Sequence, residues 1–169
     1  GPQGETGPQG ETGPQGETGP AGPAEMTIYL ATDQSINTSQ SHFMGLGTSS
    51  GGMKGFERNN VVIPQTATIT GLVFSIRDDD LRVGSKVTAE IFISGGCASN
   101  QTNTGIKVTL EGTGQSHPDT PNTNCYGFVS VSVANGYSVH QCDLLSVRVT
   151  IEGSGALENG AAATVLLTI

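Results

Sequence analysis

The chain has 169 residues, of which 25 are glycine and none is tryptophan, and its formal net charge is −8. Its longest apolar run is far shorter than the roughly 18 residues that a membrane-spanning helix needs, so we expect no membrane span. Seven lysine and arginine residues face fifteen acidic ones and form no basic stripe, so we expect no nucleic-acid partner. The chain starts at Gly1 inside a repeat, and we interpret it as a fragment of a longer protein.

The first part of the chain is collagen-like. Residues 1–24 read as eight consecutive Gly-X-Y triplets. Glycine recurs at this period in collagen because three polyproline-II chains pack it at a crowded axis where no side chain fits. The pattern predicts a triple helix of about 70 Å rather than a flexible linker, and therefore a homotrimer.

The side chains at X and Y refine this prediction. Proline stands only at X and never at Y, the position where hydroxyproline stabilises animal collagens. This favours a bacterial or viral collagen whose short helix is marginal alone, so we expect another element to hold the three chains. Thr6, Thr12 and Thr18 stand at Y, where side chains face solvent. They are candidates for O-glycosylation, with simple polar filling as the alternative.

Residues 25–169, about 145 in number, have the size of one domain and alternate apolar and polar side chains with the period of β-strands. Glycine, asparagine and aspartate clusters between the strands mark turns, and no long window has a helical period. The pattern predicts an all-β antiparallel sandwich, with a jelly roll as the best topology and an immunoglobulin-like sandwich second. The predicted strands are residues 27–31, 60–63, 66–77, 85–94, 106–110, 126–134, 144–152 and 162–168.

The last predicted strand is apolar on both faces. It places Val165, Leu167 and Ile169 on one face and Leu166 on the other. A strand of this kind is buried on both sides, and three-fold packing of the domain would bury it. We therefore predict that Val165, Leu167 and Ile169 form the core of a trimer.

Several short segments resemble one subgroup of C-terminal domains in the collagen-like glycoproteins of the Bacillus-type spore exosporium. They are Phe43-Met44-Gly45-Leu46-Gly47, Val62-Ile63-Pro64 leading into Ala67-Thr68-Ile69-Thr70, and Val87-Thr88-Ala89-Glu90-Ile91-Phe92.

The resemblance implies a trimeric jelly roll similar to the tumour-necrosis-factor fold, carried as the distal knob on a collagen stalk. It also implies a structural filament on the spore surface, attached to other spore-surface proteins through an amino-terminal region outside this sequence. A virion surface is the alternative location.

Three cysteines, Cys97, Cys125 and Cys142, are the most informative polar residues. Their spacing fits no zinc motif and no C-x-x-C occurs. We favour a Cys97–Cys125 disulfide that staples the intervening segment and stabilises the domain by about 2–4 kcal/mol. For any one of the three, a buried inert thiol is the alternative. A thiol left exposed would be able to link one knob to another.

Other polar residues give weaker signals. Asp78, Asp79 and Asp80 are oxygen donors of the kind calcium binds, but they lack the EF-hand spacing, and a solvated turn is favoured. His42, His117 and His140 follow no H-E-x-x-H pattern, and no G-x-S-x-G elbow occurs. We therefore expect no catalytic site, metal or cofactor, and no enzyme.

Two functions follow from the sequence. The first is structural: the domain trimerises, aligns the stalk and forms the knob of a bristle. The second is a multivalent adhesin or phage-fibre-type module that binds a glycan or a receptor on a host surface. In that case the loops at the far end of the knob, above all residues 95–124, would carry the site.

Overall fold

The computed structural model describes residues 1–20, 22, 24–78, 81–114 and 120–169, and within them the domain is almost entirely strand. The only helical pieces among these residues are the four-residue α1 (Gly55–Arg58) and a 3-10 turn (Val133–Asn135). The strands are β1 (Glu25–Thr32), β2 (Ile36–Asn37), β3 (His42–Met44), β4 (Leu46–Gly47), β5 (Ser49–Ser50), β6 (Val61–Val62), β7 (Ala67–Ile76), β8 (Lys86–Ser94), β9 (Gln101–Glu111), β10 (Tyr126–Ser130), β11 (Tyr137–Val139), β12 (Leu144–Glu152), β13 (Ala156–Leu157) and β14 (Ala161–Thr168).

The strands form two main sheets. Sheet I has the order β10-β7-β14-β1-β4, with β11 beside β7. Sheet II has the order β5-β3-β12-β8-β9, with β6 beside β12, and β13 pairs with β2 in a small ribbon. All pairs are antiparallel except the two-residue β1–β4 pair. The protein is therefore an all-β sandwich, as the alternating pattern predicts.

The two sheets bury one apolar core between their inner faces. Because successive side chains of a strand point to opposite faces, the alternating residues of the long strands meet in this layer. Its largest fully buried side chains include Leu30, Leu72, Phe74, Ile91 and Leu145. Burying each side chain of this size contributes about 1.5–3 kcal/mol, so this layer is the main source of stability.

A second, smaller cluster lies outside the main core. It consists of Phe43, Phe56, Phe92 and Ala98, with Leu144 packed against it. The ring of Phe43 meets those of Phe56 and Phe92 edge-on at 5.7 and 5.2 Å between centroids. This cluster fixes α1 and the β8–β9 turn against sheet II.

The strand connections define two ends of the domain. Val139 faces Ala67 in sheet I, and only residues 140–143 separate it from Leu144 at the start of β12 in sheet II. Because Glu25 pairs with Thr168 near Ala67, residues 1–24 enter at this same end, which we call the stalk end. The opposite, distal end contains the last residues of β7, β9 and β12.

Residues 1–20 form neither strand nor helix and are exposed along their whole length. At each glycine from Gly1 to Gly22, no atom beyond the glycine and its two neighbours lies within 4 Å of the position that a Cβ would occupy. In the single chain, these glycines are therefore not packed against any other described residue.

Each predicted strand has a counterpart, and the ends agree within two residues except at one end of β9 and one end of β10. β9 begins at Gln101 rather than at residue 106. β10 ends at Ser130 rather than at residue 134, because the chain turns into the 3-10 segment Val133–Asn135. The short strands β2–β5, β11 and β13 were not predicted. At two or three residues each, they are too short for alternation to be visible.

Candidate interaction face

The two faces of β14 have different environments. Val165 is fully buried and Leu167 is 1% exposed, both within the core of a single chain, whereas Ile169 is 44% exposed. The prediction that Val165 and Leu167 form a trimer core is therefore corrected. β14 lies in the middle of sheet I, so the inner face that carries these residues is already covered by sheet II. Only the opposite face and Ile169 remain open to another chain.

The outer face of sheet I carries an apolar row across four strands. Phe128 faces Val73, Val73 faces Thr164, and Thr164 faces Tyr29. Phe128, Val73 and Tyr29 are all exposed large hydrophobic residues. Because residues that face one another in a sheet lie side by side on one surface, they form a continuous stripe rather than scattered apolar residues.

The rows on either side extend this surface. Leu166, half-buried, faces Gly71 of β7 and Thr27 of β1. On the other side, Tyr126 faces Ser75 of β7. The surface is therefore made of aromatic, aliphatic, hydroxyl and small residues.

Charge separates the two sheets. The strands β1, β7, β10 and β14 contain a single charged residue, Glu25, at the edge next to the stalk. By contrast, β8, β9 and β12 of sheet II contain six: Lys86, Glu90, Lys107, Glu111, Arg148 and Glu152. Depletion of charge together with exposed aromatic residues is the composition of the buried centre of a protein–protein interface. An exposed apolar patch of this kind indicates an interaction surface.

A groove of about 350 Å³ deepens this face near the stalk end. Its walls include Thr27, Thr70, Leu166 and Val133, and Val133 is itself exposed. Its lining combines hydroxyl groups and the Glu25 carboxylate with aliphatic side chains. It therefore offers a recess for the side chains of a second surface.

The stalk joins this face without a linker. The Ile169 N–H donates a hydrogen bond to the Ala24 carbonyl at 2.8 Å, which extends the β1–β14 ladder by one pair. Residue 24 also ends the last Gly-X-Y triplet. Residue 24, at the end of the stalk, is therefore held by the two central strands of the outer face.

The cysteines lie at opposite ends of the domain. Cys97 is a free thiol in the β8–β9 turn at the stalk end. Cys125 lies at the distal end, next to Asn124, whose N–H donates to the Glu111 carbonyl. Lys86 faces Glu111 and Ser94 faces Gln101, so the length of β8, roughly 25 Å, separates the two cysteines.

The predicted Cys97–Cys125 disulfide is thus not formed. A disulfide spans less than about 7 Å between Cα atoms, and residues 101–111 between the two cysteines form strand β9. Cys142, also a free and exposed thiol, lies at the stalk end with Cys97, just before β12.

The histidines and aspartates do not converge on a site among the described residues. His42 Nδ1 lies 3.2 Å from Ser49 Oγ, and burial lowers the pKa of His42 below 6.5. His140 is exposed and lies 3.8 Å from Asp143. The Asp78 carboxylate accepts hydrogen bonds from the backbone N–H groups of residues 158 and 159, so it closes a turn. His117, Asp79 and Asp80 lie outside the described residues.

The described part of the chain contains no group of three or more histidine, cysteine, aspartate or glutamate residues that could hold a metal ion. Within the same residues, no helix is long and apolar enough to cross a bilayer.

The distal end has its own depression. It has a volume of about 330 Å³ and is lined by Arg82, Ser154 and Glu158 among others. The segment 95–124, which the sequence predicts as a single long excursion, is divided by β9. Residues 95–100 turn at the stalk end, and only the part after Glu111 belongs to the distal end.

The apolar stripe of Tyr29, Val73 and Phe128 was not predicted from the sequence. One feature of the sequence does indicate it. Leu72-Val73-Phe74 is an uninterrupted apolar run inside an otherwise alternating strand. Such a run indicates burial on both faces.

Comparison with known proteins identifies no family for this chain. No protein-family model matches the chain, and no curated protein matches it. Among solved structures, it is similar to a chain in the structure of infectious bursal disease virus, Gx strain, with 14% identity and a TM-score of 0.38. The match covers 87% of this chain and 32% of that one, so this chain spans about a third of its length.

Proposed function

We propose that this chain is a structural filament protein of a spore surface. In this proposal three copies join through the outer face of sheet I, align a collagen triple helix and form the knob of a bristle. The observation that carries the proposal is the apolar outer face of sheet I, on which Glu25 is the one charged strand residue. This face lies beside residue 24, the end of a segment that needs three chains. The order of the strands in the two sheets supports a jelly-roll domain of the tumour-necrosis-factor type. The location on a spore exosporium rests on the sequence resemblance.

A second copy of the same chain is the occupant that best fits the outer face. A collagen triple helix brings three identical chains within a few ångströms of each other, and residue 24 is hydrogen-bonded to Ile169 at the edge of this face. Three domains on such short tethers are at high effective concentration, which favours their contact. Burying Tyr29, Val73 and Phe128 in that contact removes three exposed hydrophobic side chains from water.

The assembly also explains how a weak stalk would be held. The triple helix has no proline at Y, and eight triplets are few. A trimeric knob would hold the three chains in register at residue 24, so that the helix forms from there toward Gly1. The exposed hydroxyls of Thr6, Thr12 and Thr18 would then line the outside of the rod as attachment points for sugars.

Light scattering on two chains tests the trimer. The full chain and a version that starts at Met26 are both expected to have three times the mass of one chain. A monomeric truncated chain would show that the domain does not trimerise, and the filament proposal would then lose its support.

A matched pair of variants locates the interface. Val73 on the outer face of sheet I is 43% exposed, and Val62 on β6, outside that sheet, is 59% exposed. Val73→Lys places one ammonium per chain in the contact. Each uncompensated buried charge costs several kcal/mol, so we expect this variant to be monomeric. Val62→Lys adds the same charge elsewhere and is expected to remain a trimer. If both variants or neither dissociated, the outer face would not be the interface.

A second function, an adhesin, is favoured by one observation. The depression lined by Arg82, Ser154 and Glu158 lies at the end away from the stalk, where a trimer would present three copies to a surface. Its volume is at the lower end of the range for small-ligand sites, and its polar lining suits a sugar. Binding of the full chain to a glycan array, lost in Arg82→Ala, would favour this function. Equal adhesion with and without the substitution would exclude it.

A further inference from the structure

We infer that Cys97 and Cys142 of the same chain form a disulfide when the protein is exposed to an oxidant. This modification site goes beyond the proposed function. It does not depend on trimer formation, because both thiols belong to one chain.

Strand pairing places the two cysteines at one corner of the domain. Ser94, the last residue of β8, faces Leu144, the first residue of β12. Facing Cα atoms in an antiparallel pair lie about 4.5–5.5 Å apart. Cys97 is three residues beyond Ser94 and Cys142 is two residues before Leu144, so both chains leave this pair in the same direction, toward the stalk end.

A second observation brings the two loops together independently of the strand register. Ala98, next to Cys97, is buried in the cluster with Phe43, Phe56 and Phe92. Leu144, two residues after Cys142, packs against the same cluster. The turn that carries Cys97 is thus folded onto the surface from which the Cys142 segment begins.

Both thiols are accessible and both sit in tight turns. Each is exposed and free, so a soluble oxidant can reach them. Cys97 and Ala98 have φ of 53° and 57°, and Cys142 has φ of 76°. Two consecutive left-handed residues are typical of a short hairpin turn. The Cys142 N–H donates to the Ile63 carbonyl at 2.8 Å, which fixes the second turn against β6.

The chemistry is a thiol–disulfide exchange with a low-molecular-weight disulfide such as glutathione disulfide. The thiolate of one cysteine attacks the disulfide of the oxidant, forms a mixed disulfide and releases one glutathione thiol. The second cysteine then attacks the protein sulfur of that mixed disulfide and releases the second glutathione. The protein loses two protons and two electrons, and one glutathione disulfide becomes two glutathiones.

The experiment treats the full chain with glutathione disulfide, alkylates the remaining thiols and maps the peptides. Trypsin and chymotrypsin together separate the three cysteines, because trypsin cuts after Lys107, between Cys97 and Cys125, and chymotrypsin cuts after Tyr126 and Tyr137, between Cys125 and Cys142. We expect a Cys97–Cys142 peptide pair, an alkylated Cys125 and no covalent dimer on a non-reducing gel. Since the bond would close a long loop of the chain, we also expect oxidation to raise Tm by roughly 5–10 °C.

Single substitutions complete the test. Cys125→Ser is expected to retain the linked peptide, whereas Cys97→Ser and Cys142→Ser each abolish it together with the rise in Tm. The inference is overturned if Cys97 stays open to alkylation after oxidation. It is also overturned if the linked peptide joins Cys97 to Cys125, or if the link lies between two chains.

Discussion

Two neighbouring leucines on β14 give a direct test of the division between core and interface. Leu167 is 1% exposed and faces the core, whereas Leu166 is half-buried and faces outward. Replacing each with alanine removes the same atoms from the same strand. Any difference between the two variants in stability or assembly should therefore come from the side of the sheet on which the leucine lies.

The expected magnitudes follow from this difference. Leu167→Ala leaves a cavity in a packed core, which costs about 2–5 kcal/mol and corresponds to a fall in Tm of roughly 5–15 °C. Leu166→Ala leaves no closed cavity in the single chain. In a trimer it removes about 1 kcal/mol of apolar burial from each chain. Over three chains this raises the trimer dissociation constant about a hundredfold.

Two measurements on the full chain separate these effects. Urea unfolding followed by circular dichroism, at a chain concentration where both variants have the same mass, reports on the core. Light scattering over a dilution series reports on assembly. If Leu167→Ala dissociated the trimer while leaving the unfolding midpoint unchanged, the assignment of this side chain to the sandwich core would be refuted. An unchanged dilution curve for Leu166→Ala would refute the interface.

Three further predictions concern other parts of the chain. Arg148 lies 3.5 Å from the buried carboxylate of Glu90. Arg148→Met should therefore cost about 3–5 kcal/mol in urea unfolding, and adding Glu90→Gln should recover most of it. Because burial lowers the pKa of His42 below 6.5, the unfolded chain binds a proton that the folded chain does not, so the contribution of His42 to stability should be constant above pH 6.5 and fall as the pH drops below it. His42→Gln should flatten this dependence when unfolding is measured across that pH range. Gly13→Ala should lower the melting temperature of the stalk, measured by circular dichroism, while the mass by light scattering stays that of a trimer.

The strands that the sequence predicted best are those whose alternation is uninterrupted. β12 has the predicted bounds, Leu144–Glu152, because its apolar residues recur at every second position from end to end. The first part of β9 was missed because residues 101–105 contain no apolar side chain. It is a strand only because it pairs with β8, with Gln101 facing Ser94. That information lies in the partner strand and not in the local sequence.

The opposite error occurred at β10. The alternation of Val129, Val131 and Val133 predicts a strand to residue 134. In the structure, the Val131 N–H still donates to the Thr70 carbonyl, but the chain then turns into the 3-10 segment Val133–Asn135. Alternation therefore indicates which side chains share one face of the sheet, but it does not indicate where the hydrogen-bonded ladder of the strand ends.

The sequence shows that β14 is apolar on both faces, and its longer apolar row predicts a trimer core of Val165, Leu167 and Ile169. The structure buries Val165 and Leu167 in the core of the chain itself. Which side meets the second sheet depends on where β14 lies in the sandwich, and this is set by pairing with β1 and β7. The disulfide prediction failed for a related reason, since the length of β9 separates Cys97 from Cys125.

The position of the stalk relative to the outer face is the strongest argument that the two parts of the chain act together. If the stalk continued a strand of sheet II, it would lie beside lysine, arginine and glutamate side chains. Such charged side chains are costly to bury between identical chains. The stalk instead continues β1, whose neighbours on the outer face are apolar or hydroxyl side chains. In the proposed trimer, the short triple helix and the exposed apolar face would each supply what the other lacks. The contact that covers Tyr29 and Val73 would also bring the three stalk chains into register.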